Sequence, residues 1–227
     1  GLALRSSPFQ LTALSPDGSA LVYAGFLAGR QALFLRGIGD LESSPVPGTE
    51  SATNPAFSPD GTQLLFIRDG AVFRQDLAGG TAVPLDSVNA TAWIRWADDG
   101  RIYFSSPTGG IWSVPALGGP VTRVLERDSA SGERILSLQD VLPGSRRAIF
   151  VASLGQATGK VFTVDLRSGE RRLLLEQQTR GAWYAGRQTL IYVLADGSLW
   201  AVPFDPDRGV VTGPTAALGG PASSMPT

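Results

Sequence analysis

The chain has 227 residues, 43% of them apolar and 17% charged, which suits a globular protein with much buried strand. It holds neither His nor Cys, so a Ser-His-Asp triad, a Cys-His pair, disulfides and thiolate zinc sites are excluded, and most ordinary hydrolase chemistry with them. A net charge of −1 supplies no overall attraction for nucleic acid or an anionic membrane, and no apolar run approaches the roughly 20 residues that span a bilayer as a helix.

No nucleic-acid partner, no direct membrane contact in this piece and no cofactor are therefore expected. The chain begins with Gly1 and shows no signal segment. Loss of an initiator Met before Gly is one reading, and a processed or excised piece of a longer protein is the other. Nineteen basic residues include a single lysine, Lys160.

Taken in chain order, one phrase returns five times: ALSPDGSALVY around Gly18, AFSPDGTQLLF around Gly61, RWADDGRIYF around Gly100, DVLPGSRRAIF around Gly144 and WYAGRQTLIY around Gly186. The spacings between these glycines are 43, 39, 44 and 42 residues, in the range of propeller blades. Each phrase is followed by a second (QALFLRGI, GAVFRQDL, GGIWSVPA, KVFTVDLR, GSLWAVPF) and then by a short strand-like segment (SSPVPG, TAVPLD, VTRVLER, RRLLLEQ and, most weakly, GPTAAL). A unit is thus four apolar runs punctuated by Gly, Pro, Asp and Ser, the pattern of short antiparallel strands.

The expected fold is all-β: a β-propeller of four-stranded antiparallel blades, at about 9–50, 51–89, 90–130, 131–180 and 181–220 within one domain. Five repeats make either a five-bladed ring or part of a larger one. Leu2–Ser7 is a candidate outer strand for closing the last blade. Ser-Pro-Asp-Gly suits a tight turn, because Pro presets φ, Asp accepts hydrogen bonds from nearby backbone and Gly tolerates positive φ. Asp17, Gly18, Asp60, Gly61, Asp99 and Gly100 are accordingly read as turn residues, not metal ligands. The strands after the turns show little alternation, as expected for strands covered on both faces.

SPDG followed by an aromatic-ended strand, with units such as FRQDLAGG and WSVPALGG, resembles the Pro-Asp type of WD-like repeat found in TolB-like β-propellers. The order LSPDGSALVY, SGERRLLLE, LWAVPFD, VVTGP is similar to the propeller region of bacterial serine/threonine receptor kinases. The resemblance covers nearly the whole chain. It implies an extracytoplasmic sensing or protein-binding platform, periplasmic or at the cell surface, with a cytoplasmic location as the alternative. It brings no catalytic residue. The Pro-Asp signature is intact in the first two units, becomes Ala-Asp-Asp-Gly in the third and is lost in the last two, and rings of this family usually have six or more blades.

Ligands of propellers generally use the face opposite such turns. On this chain that face would be built from Gly25–Arg30, Arg68–Gly70, Ser105–Gly110, Leu154–Lys160 and Ala195–Gly197, with the connections Glu50–Asn54, Asn89–Trp93, Ala130–Arg134 and Arg180–Trp183. The candidate binding residues are Asn54, Arg68, Trp93, Arg95, Arg180 and Trp183, since Trp and Arg around a concavity are typical anchors. The bland reading of the two tryptophans is packing between blades.

Three further motifs are set aside. Asp205–Gly209 lacks the closing Glu of a calcium loop, and Gly155–Lys160 departs from a phosphate loop in spacing and in having Val161 at the Ser/Thr position. Arg146-Arg147 and Arg171-Arg172 read as solvated edge charges.

The functional expectation is a non-catalytic ligand- or protein-binding propeller, the sensor or docking module of a larger bacterial protein such as a receptor kinase. One alternative is the substrate gate of a prolyl-oligopeptidase-type hydrolase, although no G-x-S-x-G elbow is present. Another is a structural fragment that self-associates through open blade faces. A lyase or carbohydrate-active propeller would need paired carboxylates across the channel, and no convincing pair stands on the inner strands.

Overall fold

The computed structural model describes residues 12–27, 29–89 and 93–220, and these contain strands, turns and one short 3-10 turn at Ser129–Ser131. The proposed closing strand at Leu2–Ser7 lies outside the described residues, as does part of the Asn89–Trp93 connection.

Three antiparallel sheets each hold four strands in sequence order. The first is β1 (Thr12–Leu14), β2 (Ala20–Leu27), β3 (Arg30–Gly37) and β4 (Ser44–Pro45). The second is β5 (Thr53–Phe57), β6 (Gln63–Arg68), β7 (Ala71–Asp76) and β8 (Val83–Asn89). The third is β9 (Ile94–Trp96), β10 (Arg101–Ser105), β11 (Ile111–Pro115) and β12 (Thr122–Leu125).

The last two repeats form one continuous sheet. It runs through β13 (Ile135–Val141), β14 (Arg147–Ser153), β15 (Gly159–Asp165), β16 (Arg171–Tyr184), β17 (Thr189–Leu194) and β18 (Leu199–Asp205). The 14-residue β16 joins them: Arg171–Leu175 pairs with β15, and Gly181–Tyr184 pairs with β17. The weak GPTAAL segment also finds a place. Here β18 is flanked by two fragments, β19 (Val210–Val211) against Phe204–Asp205 and β20 (Ala216–Gly219) against Leu199–Ala201.

The chain divides into two compact units. One is the chain up to Pro107 with Ser113–Thr122, the other Thr108–Trp112 with the chain from Arg123, so that the division passes through the third sheet. In the first unit Val22, Leu33, Val46, Ala52, Phe57, Leu64 and Phe66 form a core. In the second the core is Ile149, Val151, Val161, Ala182, Leu190, Tyr192, Val202 and Phe204 with their neighbours. Four consecutive residues of β6 (Leu64–Ile67) and of β14 (Ala148–Val151) are buried, which is why these strands lack alternation. Each fully buried Phe or Leu contributes about 1.5–3 kcal/mol.

A cross-strand aromatic pair recurs between the two middle strands of a repeat. Tyr23 stacks on Phe34 at 5.7 Å between ring centres, Phe66 on Phe73 at 5.6 Å and Phe150 on Phe162 at 5.4 Å. Tyr192 and Trp200 are direct partners in the last repeat. An arginine lies over the third-strand ring in three repeats: Arg68 over Phe73, Arg123 over Trp112 and Arg171 over Phe162.

Candidate functional site

Antiparallel pairing gives every repeat two ends. One carries the reversal between its first two strands. The other carries the hairpin between the second and third strands, beside the connection from the preceding repeat.

At the first end, the turn carboxylates are committed to their own loops. Asp17 Oδ1 accepts from the Ser15 hydroxyl (2.6 Å), the Ser19 amide (3.0 Å) and the Ser19 hydroxyl (2.8 Å). Asp60 Oδ1 repeats this with the Ser58 hydroxyl (2.5 Å) and the Thr62 amide (3.0 Å). The Ser15 hydroxyl bond, followed by the bonds from Ser19, draws the Asp17 carboxyl down to about 2, and the equivalent Ser58 bond lowers Asp60. Asp99 accepts from the Arg101 amide (3.0 Å) and the Tyr103 hydroxyl (2.7 Å); burial and that bond push the Tyr103 phenol up.

Gly18, Gly61 and Gly100 take φ of 72–73°, the left-handed value at the fourth turn position. In the fourth repeat that position falls on Ser145 (φ 52°), whose amide reaches the Leu142 carbonyl as the Gly18 amide reaches Ser15. Gly144 sits one residue earlier, at φ 78° after Pro143, the type II pattern. In the fifth the central residues Arg187 (φ 47°) and Gln188 (φ 55°) are both left-handed, the type I′ pattern. Anchoring the repeat on Gly144 and Gly186 is therefore out of register with the first three turns.

At the second end of the first unit, the Arg68 guanidinium donates to the Gly48 carbonyl (2.8 Å) while lying 4.0 Å over Phe73. Asn54 is buried with φ 52° directly before Pro55, and neither amide atom has a hydrogen-bond partner. The residue before proline is normally pushed to extended conformations, and an unpaired buried polar group costs about 1–3 kcal/mol, so Asn54 concentrates strain of two kinds. Trp93 is half-buried and its carbonyl accepts from the Ser105 amide (3.1 Å). Arg95, also half-buried, donates to the Ile94 carbonyl (2.9 Å).

At the second end of the second unit, Arg180 grips the Ala195 carbonyl through Nη2 (2.8 Å) and Nε (3.1 Å). Trp183 is half-buried and its ring lies over Gly181, where any Cβ would collide with the indole. Arg68 and Arg180 thus brace loops.

The same end of the fourth repeat holds a cleft of about 400 Å³, lined by Glu133, Gln156, Thr158, Lys160, Arg171 and Gln178 among others. One wall is built. Arg171 Nη1 donates to both Glu133 carboxylate oxygens (2.8 and 2.9 Å), its Nη2 lies 3.4 Å from Asp128 Oδ2, and the Asp128 amide donates to Glu133 (2.8 Å). Arg171 also covers the Phe162 ring. The opposite rim is the hairpin 154–158, held down by Gly159, whose missing Cβ would fall 2.1 Å from the Ala152 carbonyl oxygen.

Sequence reasoning placed the hairpin and Ala130–Arg134 at this end, yet it took Arg171 for a solvated edge charge. Its side chain is only 26% exposed, because it is folded onto Glu133. Arg147 is likewise drawn in, to Asp165 (3.8 Å) and the Asp207 carbonyl (3.1 Å). Arg146 and Arg172 are exposed. Glu133 and Arg171 are 38 residues apart and carry no local signal; only the repeat period hints that they meet.

No family model and no curated protein matches the chain. Solved structures do. TolB from Acinetobacter baumannii superposes with a TM-score of 0.69 at 20% identity, over 87% of this chain and 52% of that one. A putative TolB from Agrobacterium tumefaciens gives 0.60 at 22% identity, over 73% and 65%. An oligogalacturonate lyase in complex with manganese gives 0.61 at 18% identity, over 88% and 63%. The chain therefore spans between about half and two thirds of the length of these structures. Together with the repeated four-stranded sheets, these likenesses fix the fold of this chain as a TolB-like β-propeller.

Proposed function

We propose that this chain is a non-catalytic recognition propeller, binding its ligand or partner at the hairpin end of the blades, and that it serves as the extracytoplasmic sensor or docking module of a larger bacterial protein such as a receptor kinase. The observation that carries the binding part is the contrast between the two ends. At the turn end the carboxylates of Asp17, Asp60 and Asp99 already accept bonds from their own loops, and in the concavity of about 580 Å³ there Asp165 is already engaged by the Arg146 and Arg147 guanidiniums and the Arg167 and Ser168 amides. At the hairpin end of the fourth repeat a walled cleft presents Gln156, Thr158, Lys160 and Gln178 outward.

The lyase of the same fold was solved with manganese. The present chain has no His, and among its described residues no three His, Cys, Asp or Glu gather as a metal site. Nothing in the donor set supports carrying that chemistry over. The sensor part rests on the segments SGERRLLLE, LWAVPFD and VVTGP.

Two measurements test the reading. Purified protein is expected to give no turnover on a panel of hydrolase and polysaccharide-lyase substrates; turnover abolished by Lys160→Met or Gln178→Ala would overturn it. The parent gene is expected to encode a kinase domain and a membrane helix ahead of this segment, and a hydrolase domain behind it would replace the sensor assignment with a gate.

A further inference from the structure

The cleft of the fourth repeat carries an electrostatic signature that narrows its ligand. The one acid that lines it, Glu133, is engaged by Arg171, as is Asp128 behind it. Lys160, the only lysine in the chain, lines the cleft, and its ammonium has no hydrogen-bond or ion-pair partner among the described residues. Arg134 stands outside the lining, against the hairpin, its Cδ 3.1 Å from where a Cβ on Gly155 would stand, and its guanidinium is likewise unpartnered among the described residues. Arg127 reaches the same backbone, donating to the Arg134 carbonyl at 3.4 Å. Of the three charged residues that line the cleft, Glu133 is answered by Arg171 and Lys160 is left uncompensated.

Around the free cations stand neutral hydrogen-bonding groups, the Gln156 and Gln178 amides and the Thr158 hydroxyl, none engaged elsewhere through its side chain. Point charges flanked by amide N–H and hydroxyl donors hold an anionic group by charge-assisted bonds, whose strength is about twice that of neutral ones. A volume of about 400 Å³ admits a small molecule or the end of a chain, not a folded surface.

We propose that this cleft binds a small ligand ending in an oxyanion, carboxylate or phosphate, with Lys160 as the charge anchor, Arg134 beside the hairpin as a flanking charge, and Gln156, Thr158 and Gln178 as the directional donors. The assignment rests on the recognition reading above and adds the ligand's chemical class.

Calorimetric titration of the 227-residue chain with inorganic phosphate and, separately, with malonate tests it. Saturable binding of at least one probe is expected, weakening with added salt, with preference between the two telling phosphate from carboxylate. Lys160→Met and Arg134→Met, both exposed and outside the core, are each expected to weaken binding about fivefold, the size of one exposed charge contact. Failure of both probes to bind would overturn the assignment, as would binding that both variants leave unchanged. Binding of a neutral sugar or peptide that is lost in Gln178→Ala but kept in Lys160→Met would sink the charge claim while leaving the recognition reading intact.

Discussion

The first three repeats and the last two reverse their first strand into their second by different chemistry. In the first unit the turns are Asp-capped loops closed by a left-handed glycine, and everything they need lies within five residues. In the second unit the turns at 142–147 and 185–189 have no such carboxylate, and left-handed positions are filled by Ser145, Arg187 and Gln188. Polar ties there run over long sequence distances: Arg171 to Glu133, Arg147 to the Asp207 carbonyl, the Thr163 hydroxyl to the Gly209 carbonyl. Charge divides the same way, with ten acidic and seven basic residues in the first unit against ten and twelve in the second. One blade plan therefore tolerates two ways of holding a blade, by a local cap or by remote contacts. The remote kind also builds the wall of the cleft.

The sharpest way to break this contrast is to strike the second unit's close contacts. Gly159→Ala places a methyl group against the Ala152 carbonyl, and an expected loss of about 3 kcal/mol in urea unfolding follows from overpacking against backbone that cannot move aside. A loss below 1 kcal/mol would show the hairpin to be looser than described.

Next is Glu133→Ala, which leaves the Arg171 guanidinium only its longer contact with Asp128 and removes the acceptor for the Asp128 amide. About 2–3 kcal/mol should be lost, less than for a fully buried pair because Arg171 keeps some solvent. Arg171→Met with Glu133→Leu should recover part of it.

The turns themselves give a pair of opposite signs. Gly61→Ala, at φ 72°, should cost about 1 kcal/mol, whereas Arg187→Asn with Gln188→Gly, the preferred type I′ pair, should gain about 1 kcal/mol. Equal signs would mean the two halves do not differ as claimed.

Acid gives the smallest effect. The folded-state Asp17 and Asp60 carboxyls titrate below their usual value, so their contribution is fully present above about pH 4; that of Asp17 is lost as pH falls through about 2, and that of Asp60 as pH falls below the usual carboxylate range. The Ser19 amide should therefore lose hydrogen-exchange protection between pH 4 and 2 in the wild type, and the Thr62 amide on acidification below pH 4. In Asp17→Asn and Asp60→Asn they should vary little over that range.

How much of this was legible beforehand follows the same divide. The first three turns could be read because local chemistry fixes them, and the aromatic residues within β2, β6, β10, β14 and β17 (Tyr23, Phe66, Phe104, Phe150 and Tyr192) kept the repeat visible where the turn signature was gone. The register of the fourth turn could not be read, since either Gly144 or Ser145 satisfies the pattern and only pairing with the next strand decides. Of the proposed site, the sequence offers an end of the blade and, among nine segments, the loops 130–134 and 154–160, not the residues. Asn54 was chosen for its position, and the structure buries it; Arg68 and Arg180 were chosen as anchors, and they brace carbonyls. Glu133 and Arg171 were missed because contacts one repeat apart leave no mark in a local window.

The claim that recognition belongs to the hairpin end is tested most directly by mapping backbone amide shifts of the isotopically labelled chain during a phosphate titration. The account predicts shifts at 131–134, 154–160 and 178. A second arginine-lined concavity of about 580 Å³ lies at the turn end, with Arg146, Arg147 and Arg167 around Asp165. Shifts centred on 144–147 and 165–170, with the hairpin silent, would place binding at the wrong end and contradict it.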